Sequence, residues 1–176
     1  MRLFIAINFP NEIKSTIAKI SADLKQFAMR GNFSFDENLH LTLVFLGECN
    51  FQQMETIKSV MNKTIFSNFM LTFDKVGYFK RDGSAVWWIS LIESEPLYNL
   101  QADLTNSLSQ KGFVLENRQY TPHITFGRQV IMPAKFVRPE IEEVSFKVTS
   151  IELMKSERIN GKLTYISTFQ HISHSL

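Results

Sequence analysis

The chain has 176 residues, 44% hydrophobic and 20% charged, with a formal net charge of +2. That length buries roughly 70% of the unfolded surface, so the core needs no staples, and the modest charge excludes a long nucleic-acid footprint while permitting a local basic patch. One cysteine, Cys49, excludes an intramolecular disulfide and a cysteine-based zinc site, and no apolar run has membrane length or a signal-peptide pattern, so a soluble cytoplasmic protein is expected.

Residues 2–9 read as a strand ending at Pro10. Ile13, Ile17, Ile20, Leu24 and Phe27 then recur at steps of four and three, one face of a helix closed by Met29-Arg30-Gly31-Asn32. A short strand is expected at 33–35 and a strong one at 40–46. Asn50 with Gln53 forms a capping-box pattern ahead of Met54, Ile57 and Met61 on a second helix. Cys49, between a Gly-Glu turn and that helix, reads as a small semi-buried thiol, because nothing beside it in sequence would depress its pKa. Residues 69–76 read as strand, Gly77 to Gly83 as a loop or hairpin, and SAVWWISLI as a strand buried on both faces. Ser94 and Pro96 open a third helix carrying Leu97, Leu100, Leu104 and Leu108, closed by Lys111-Gly112. Strands follow at 113–117 and 122–128. A looser segment with Pro133 and Pro139 leads to a final pair, 143–155 and 163–171, around an Asn160-Gly161 turn. This order predicts an α+β fold with mostly antiparallel sheets, two similar lobes in one unit spanning residues 1–176.

The chemistry-bearing signal is a doubled His-x-Thr, in HLTLVFL from His40 and HITFGR from His123. Side chains alternate along a strand, so His40 and Thr42 share the face opposite Leu41, Leu43 and Phe45, as His123 and Thr125 share the face opposite Ile124 and Phe126. A single such pair is an ordinary strand surface. Two, each backed by an apolar face, put two imidazoles and two hydroxyls on strand faces that point into a cleft or to solvent. Imidazole titrates near neutrality, so two of them can serve as one general base and one general acid. Attack in line at phosphorus needs such groups on opposite sides of the atom, and threonine hydroxyls can hold charge on its non-bridging oxygens. Which histidine plays which part is open on the residues alone. Metal chemistry is not indicated: His-x-Thr is not a chelating pair and no carboxylate cluster accompanies either histidine. Walker, dinucleotide and nucleophile-elbow motifs are absent. His171 and His174, near a terminus expected to fray, read as bystanders.

The sequence resembles the RNA 2′,3′-cyclic phosphodiesterases, or 2′-5′ RNA ligase-like proteins, of the two-histidine phosphoesterase superfamily. RLFIAINFP is similar to the family's opening strand and HLTLVFLGE to its first motif. LYNLQADLTNSLSQKGFVLENRQYTPHITFGR is similar to the segment containing the second motif, and IELMKSERINGKLTYIS to the closing hairpin. The resemblance implies two pseudo-symmetric lobes around a central cleft, each an antiparallel sheet with outer helices. It implies metal-independent, cofactor-free opening of a terminal RNA 2′,3′-cyclic phosphate to a 2′-phosphate, with weak reverse 2′-5′ ligation. His40 corresponds to the proton donor, His123 to the proton acceptor, Thr42 and Thr125 to phosphate-oxygen donors, and Arg128 to a substrate-binding arginine. Strict alternation sends Arg128 to the apolar face with Phe126, but Gly127 permits a bulge that would re-aim it. The family has Leu where this chain has Phe126 and a larger residue where it has Gly127. Tyr120 and either Trp87 or Trp88 are candidates for stacking a base, with core packing expected for at least one tryptophan.

The implied partners are RNA 3′ ends bearing a cyclic phosphate, or small nucleotide cyclic phosphates, with no membrane and no obligate protein partner. The rival readings are a same-fold phosphodiesterase for a small cyclic nucleotide, ADP-ribose cyclic phosphate or 2′-5′ oligoadenylate, and an inactive RNA- or nucleotide-binding module.

Overall fold

The computed structural model describes residues 1–174. In chain order the strands are β1 (Arg2–Asn8), β2 (Arg30–Phe33), β3 (His40–Glu48), β4 (Phe69–Arg81), β5 (Ser84–Leu91), β6 (His123–Ile131), β7 (Ser145–Val148), β8 (Ser150–Ile159) and β9 (Lys162–Ile172). The helices are α1 (Asn11–Phe27), α2 (Phe51–Lys63) and α3 (Glu95–Gln110). One antiparallel sheet has the order β3-β1-β8-β9 and the other β2-β6-β5-β4-β7. Without its edge strand β2, the second repeats the pairing of the first, with β6 standing for β3, β5 for β1, β4 for β8 and β7 for β9.

The three helices form where their periodicity predicts. Each buries most of the expected apolar stripe: Ile13, Ile17 and Leu24 on α1, Met54, Ile57 and Met61 on α2, and the four leucines on α3; Ile20 is half-buried, and Phe27, expected on the buried face, is exposed at the end of α1. The Asn50–Gln53 capping box is complete in both directions, at 2.8 and 2.9 Å. Helix α1 follows a strand of the first sheet but lies against β2 and β6 of the second, while α3 follows β5 and lies against β3. The two lobes are thereby tied through one continuous core.

Several boundaries differ from expectation. Arg30–Asn32 does not close α1; it is already strand β2, paired with β6. Gly77 does not start a loop, because β4 runs on to Arg81 and the turn is Asp82-Gly83. A glycine is required within this strand because the Trp88 indole lies over it, in the space a Cβ would fill. Residues 113–117 form no strand, and Val114 points almost wholly to solvent. The stretch 143–155 is not one strand: β7 pairs with β4 and β8 pairs with β1 and β9, so the chain changes sheet at Thr149. Strand β5 is not buried on both faces; Trp87 and Ile89 enter the core while Trp88 faces the other way. His171 is not in a frayed end. It is buried, and its Nε2 donates to the Thr64 carbonyl at 2.8 Å, tying β9 to the end of α2. Cys49 is buried, and burial pushes its thiol pKa up, as suits an inert side chain.

Candidate active site

The two histidine strands carry the same irregularity. On β3, Ile5 and Ala6 of β1 face Val44 and Thr42, so an extra residue bulges between them. On β6, Trp87 and Trp88 face Gly127 and Thr125, so the extra residue is Phe126. Within each bulge two consecutive residues turn inward, Leu43 with Val44 and Phe126 with Gly127. The next side chain therefore returns to the face of the histidine. In β6 that side chain is Arg128, exposed on the histidine side and not on the apolar face. In β3 it is Phe45, 42% exposed, with the Arg2 guanidinium 5.2 Å from its ring. Alternation placed Phe45 on the apolar face with Leu41 and Leu43, and the bulge overturns that; the run Leu43-Val44, two apolar residues in succession, was the available signal.

Each imidazole is held by the carbonyl two residues upstream. His40 Nδ1 lies 2.7 Å from the Asn38 oxygen and His123 Nδ1 lies 2.7 Å from the Thr121 oxygen. A carbonyl only accepts, so Nδ1 carries the hydrogen in both rings and Nε2 is the reactive nitrogen. The surroundings of the two Nε2 atoms differ. His40 Nε2 is 3.0 Å from Thr42 Oγ1, and the ring is enclosed by Phe4 at 4.8 Å and the edge-on ring of Tyr165 at 5.1 Å. His123 Nε2 has no hydrogen-bond partner among the described residues. Its ring meets Phe79 edge-on at 5.5 Å and Trp88 at 6.4 Å.

Both rings are poor bases in the free protein. Burial pushes His40 down to about 4, against the opposing help of the Asn38 carbonyl, and the positive charge of Arg128 adds to the shift. His123 is lowered too, first by burial and then by Arg128 and Arg118, against the Thr121 carbonyl. One guanidinium thus acts on both imidazoles, which brings Arg128 into the same electrostatic site.

Tyr120 spans the lobes: its hydroxyl donates to the Thr42 carbonyl at 2.9 Å, and burial raises its pKa well above the ordinary phenol value. A cavity of about 310 Å³ is lined by Thr42, Phe45, Phe79, Tyr120 and His123, with Arg81 and Arg118 among its walls. Of the two tryptophans only Trp88 borders His123; Trp87 is 2% exposed in the core. The fold thus brings together His40, Thr42, His123 and Arg128, with Tyr120 bridging to β3, while Thr125 lies two residues beyond His123 on the same face of β6. Among the described residues, no three His, Cys, Asp or Glu side chains converge as metal ligands. No helix among them is long and apolar enough to cross a membrane.

The family model described as the 2′-5′ RNA ligase superfamily matches residues 9–160. An RNA 2′,3′-cyclic phosphodiesterase of Thermotoga maritima is 33% identical over 93% of this chain and 88% of its own length. One of Escherichia coli K12 is 31% identical over 93% and 92%. The crystal structure of Escherichia coli LigT complexed with 3′-AMP superposes with a TM-score of 0.86 at 29% identity, covering 98% of this chain and 97% of that one.

Proposed function

The chain belongs to the 2′-5′ RNA ligase superfamily, and from that premise we propose that it is an RNA 2′,3′-cyclic phosphodiesterase, opening the terminal cyclic phosphate of RNA to a 2′-phosphomonoester. Its relatives of about 30% identity over most of the chain are RNA 2′,3′-cyclic phosphodiesterases. The observation that carries the reading is the pair of histidines with like-anchored Nδ1 atoms and a single arginine acting on both rings.

The proposed chemistry needs no metal and no cofactor. His123 Nε2, the open one, takes a proton from the attacking water as a new P–O bond forms. The P–O3′ bond breaks, and His40 Nε2–H delivers a proton to the departing 3′-oxygen. The division suits the environments, since the base that activates water is the more accessible ring and the acid is the enclosed one. Protonation of His40 turns Nε2 into a donor, and the Thr42 hydroxyl is released to the phosphate. Thr125 and Arg128 hold the remaining charge on the non-bridging oxygens. Phe45, Phe79 and Tyr120 offer ring faces or edges to the base of the terminal nucleotide. The same path run backwards gives weak 2′-5′ ligation, which water at high concentration opposes. One two-lobed phosphoesterase domain covers residues 1–176, works in the cytoplasm and needs no obligate protein partner.

The test is turnover on two substrates, 2′,3′-cyclic AMP and an RNA oligomer ending in a 2′,3′-cyclic phosphate. The expected product from the oligomer is a 2′-phosphate end. Turnover of the mononucleotide alone would move the reading to a small-nucleotide phosphodiesterase, and turnover of neither to a binding module.

A further inference from the structure

A second cavity lies away from both histidines. It is a groove of about 850 Å³ on the opposite face of the β4–β5 hairpin. Trp88 and Phe79 point to the His123 side, so their neighbours Trp87 and Tyr78, directly opposite one another in the ladder, point to this one. The Tyr78 ring lies over Trp87 at 4.9 Å and is 39% exposed, while Phe136 closes on the indole edge-on at 5.7 Å. Three cations line the groove, Lys80, Arg81 and Arg138, against one acid, Asp82. The Arg138 guanidinium stands 5.9 Å from the Tyr78 ring.

Exposed aromatic surface within a cationic wall is the chemistry that holds single-stranded nucleic acid: bases stack and phosphates pair, without sequence readout. The groove and the catalytic cleft meet at one residue, because Arg81 at the hairpin end lines both cavities. Ser90 pairs with His123 and Ala85 with Val130, so the groove end of β5 lies five residues, about 17 Å, along the strand from the histidine. A mononucleotide in the cleft does not reach that far. An RNA strand does, and everything beyond its terminal nucleotide lies on the 5′ side.

We propose that this groove binds the RNA strand on the 5′ side of the terminal nucleotide whose cyclic phosphate sits between His40 and His123, the strand crossing the hairpin end at Arg81. The proposal rests on the cyclic-phosphodiesterase reading and adds a second site to it. It makes the enzyme favour oligomers over mononucleotides through contacts remote from the chemistry.

The experiment uses the Lys80→Ala/Arg138→Ala double variant, both residues being exposed and outside the catalytic set. Turnover is measured on 2′,3′-cyclic AMP and on an RNA of about ten nucleotides with a cyclic end, within the range of known single-strand sites. The expected result is unchanged kcat/KM on the mononucleotide and a loss of roughly 3–10-fold on the oligomer, with a salt slope for the oligomer shallower by about 1.4 for two lost phosphate contacts. Unchanged oligomer kinetics, or equal losses on both substrates, overturns the proposal. Anisotropy with a labelled oligomer ending in a 2′-phosphate reads the groove independently of turnover. Wild type is expected to bind it more tightly than the mononucleotide, and the variant to lose that difference. Failure to turn over either substrate would sink the phosphodiesterase reading, whereas equal oligomer affinity of wild type and variant sinks this one.

Discussion

The pH dependence of kcat/KM follows from the enclosure of His40. Its free-protein pKa of about 4 leaves about one molecule in 10³ with that ring protonated at pH 7. The productive form requires His40 protonated and His123 neutral. Because kcat/KM reports the free enzyme, its plateau is expected between about 4 and the His123 value, which lies below the ordinary 6.5. Above that window kcat/KM should fall about tenfold per pH unit, as the proton on the pair is lost. Below it the same slope should appear with opposite sign, as the pair takes up a second proton and the form with His123 neutral is lost. The profile of kcat should sit at higher pH, because a bound phosphate anion offsets Arg128 and favours both imidazolium forms. Single variants separate the roles. His123→Ala should remove the acidic limb and His40→Ala the alkaline limb, each at a cost of about 10²–10⁴-fold. The assay is stopped-time product analysis on 2′,3′-cyclic AMP across buffers from about pH 3 to 9, with folding checked by circular dichroism at each pH. A wild-type kcat/KM that rises between pH 6.5 and 8, or a His variant that keeps both limbs near wild-type rate, refutes the reasoning.

The same shift predicts stability. The folded-state pKa of His40 is depressed from 6.5 to about 4, so the unfolded chain binds the extra proton; its contribution is complete above 6.5 and is lost as pH falls from there towards 4, about 3 kcal/mol in all. Urea unfolding of wild type and His40→Gln from pH 7 to 4 should show a flatter dependence in the variant. Thr42→Ala and Thr125→Ala should each lose up to about 10²–10³-fold in kcat, the scale of one oxyanion donor, without loss of fold. In Gly77→Ala the new methyl runs into the Trp88 indole; overpacking should cost about 1–3 kcal/mol in urea unfolding and lower kcat by displacing the ring beside His123. Exhaustive chelation should leave turnover intact, and loss of activity restored by a divalent ion would overturn the metal-free chemistry.

The sequence by itself determined what depends on local periodicity. The apolar stripes of the three helices, the Asn50 capping box, the Asn160-Gly161 turn and the doubled His-x-Thr all repeat over a few residues, and each can be read without knowing its partner. The placement of His40 with Thr42 and of His123 with Thr125 followed from strand alternation for the same reason. Tertiary structure decided wherever pairing overrode alternation. The bulge at Phe126 turned Arg128 into the cleft, and its counterpart on β3 brought in Phe45, because an extra residue in one strand is defined only by the strand beside it. The change of sheet at Thr149 and the length of β4 were likewise set by distant neighbours, β7 finding β4 and Trp88 covering Gly77. The unlike environments of two equal histidines also arose there: Phe4 and Tyr165 are far from His40 in sequence, and only the packed sheet puts them around its ring.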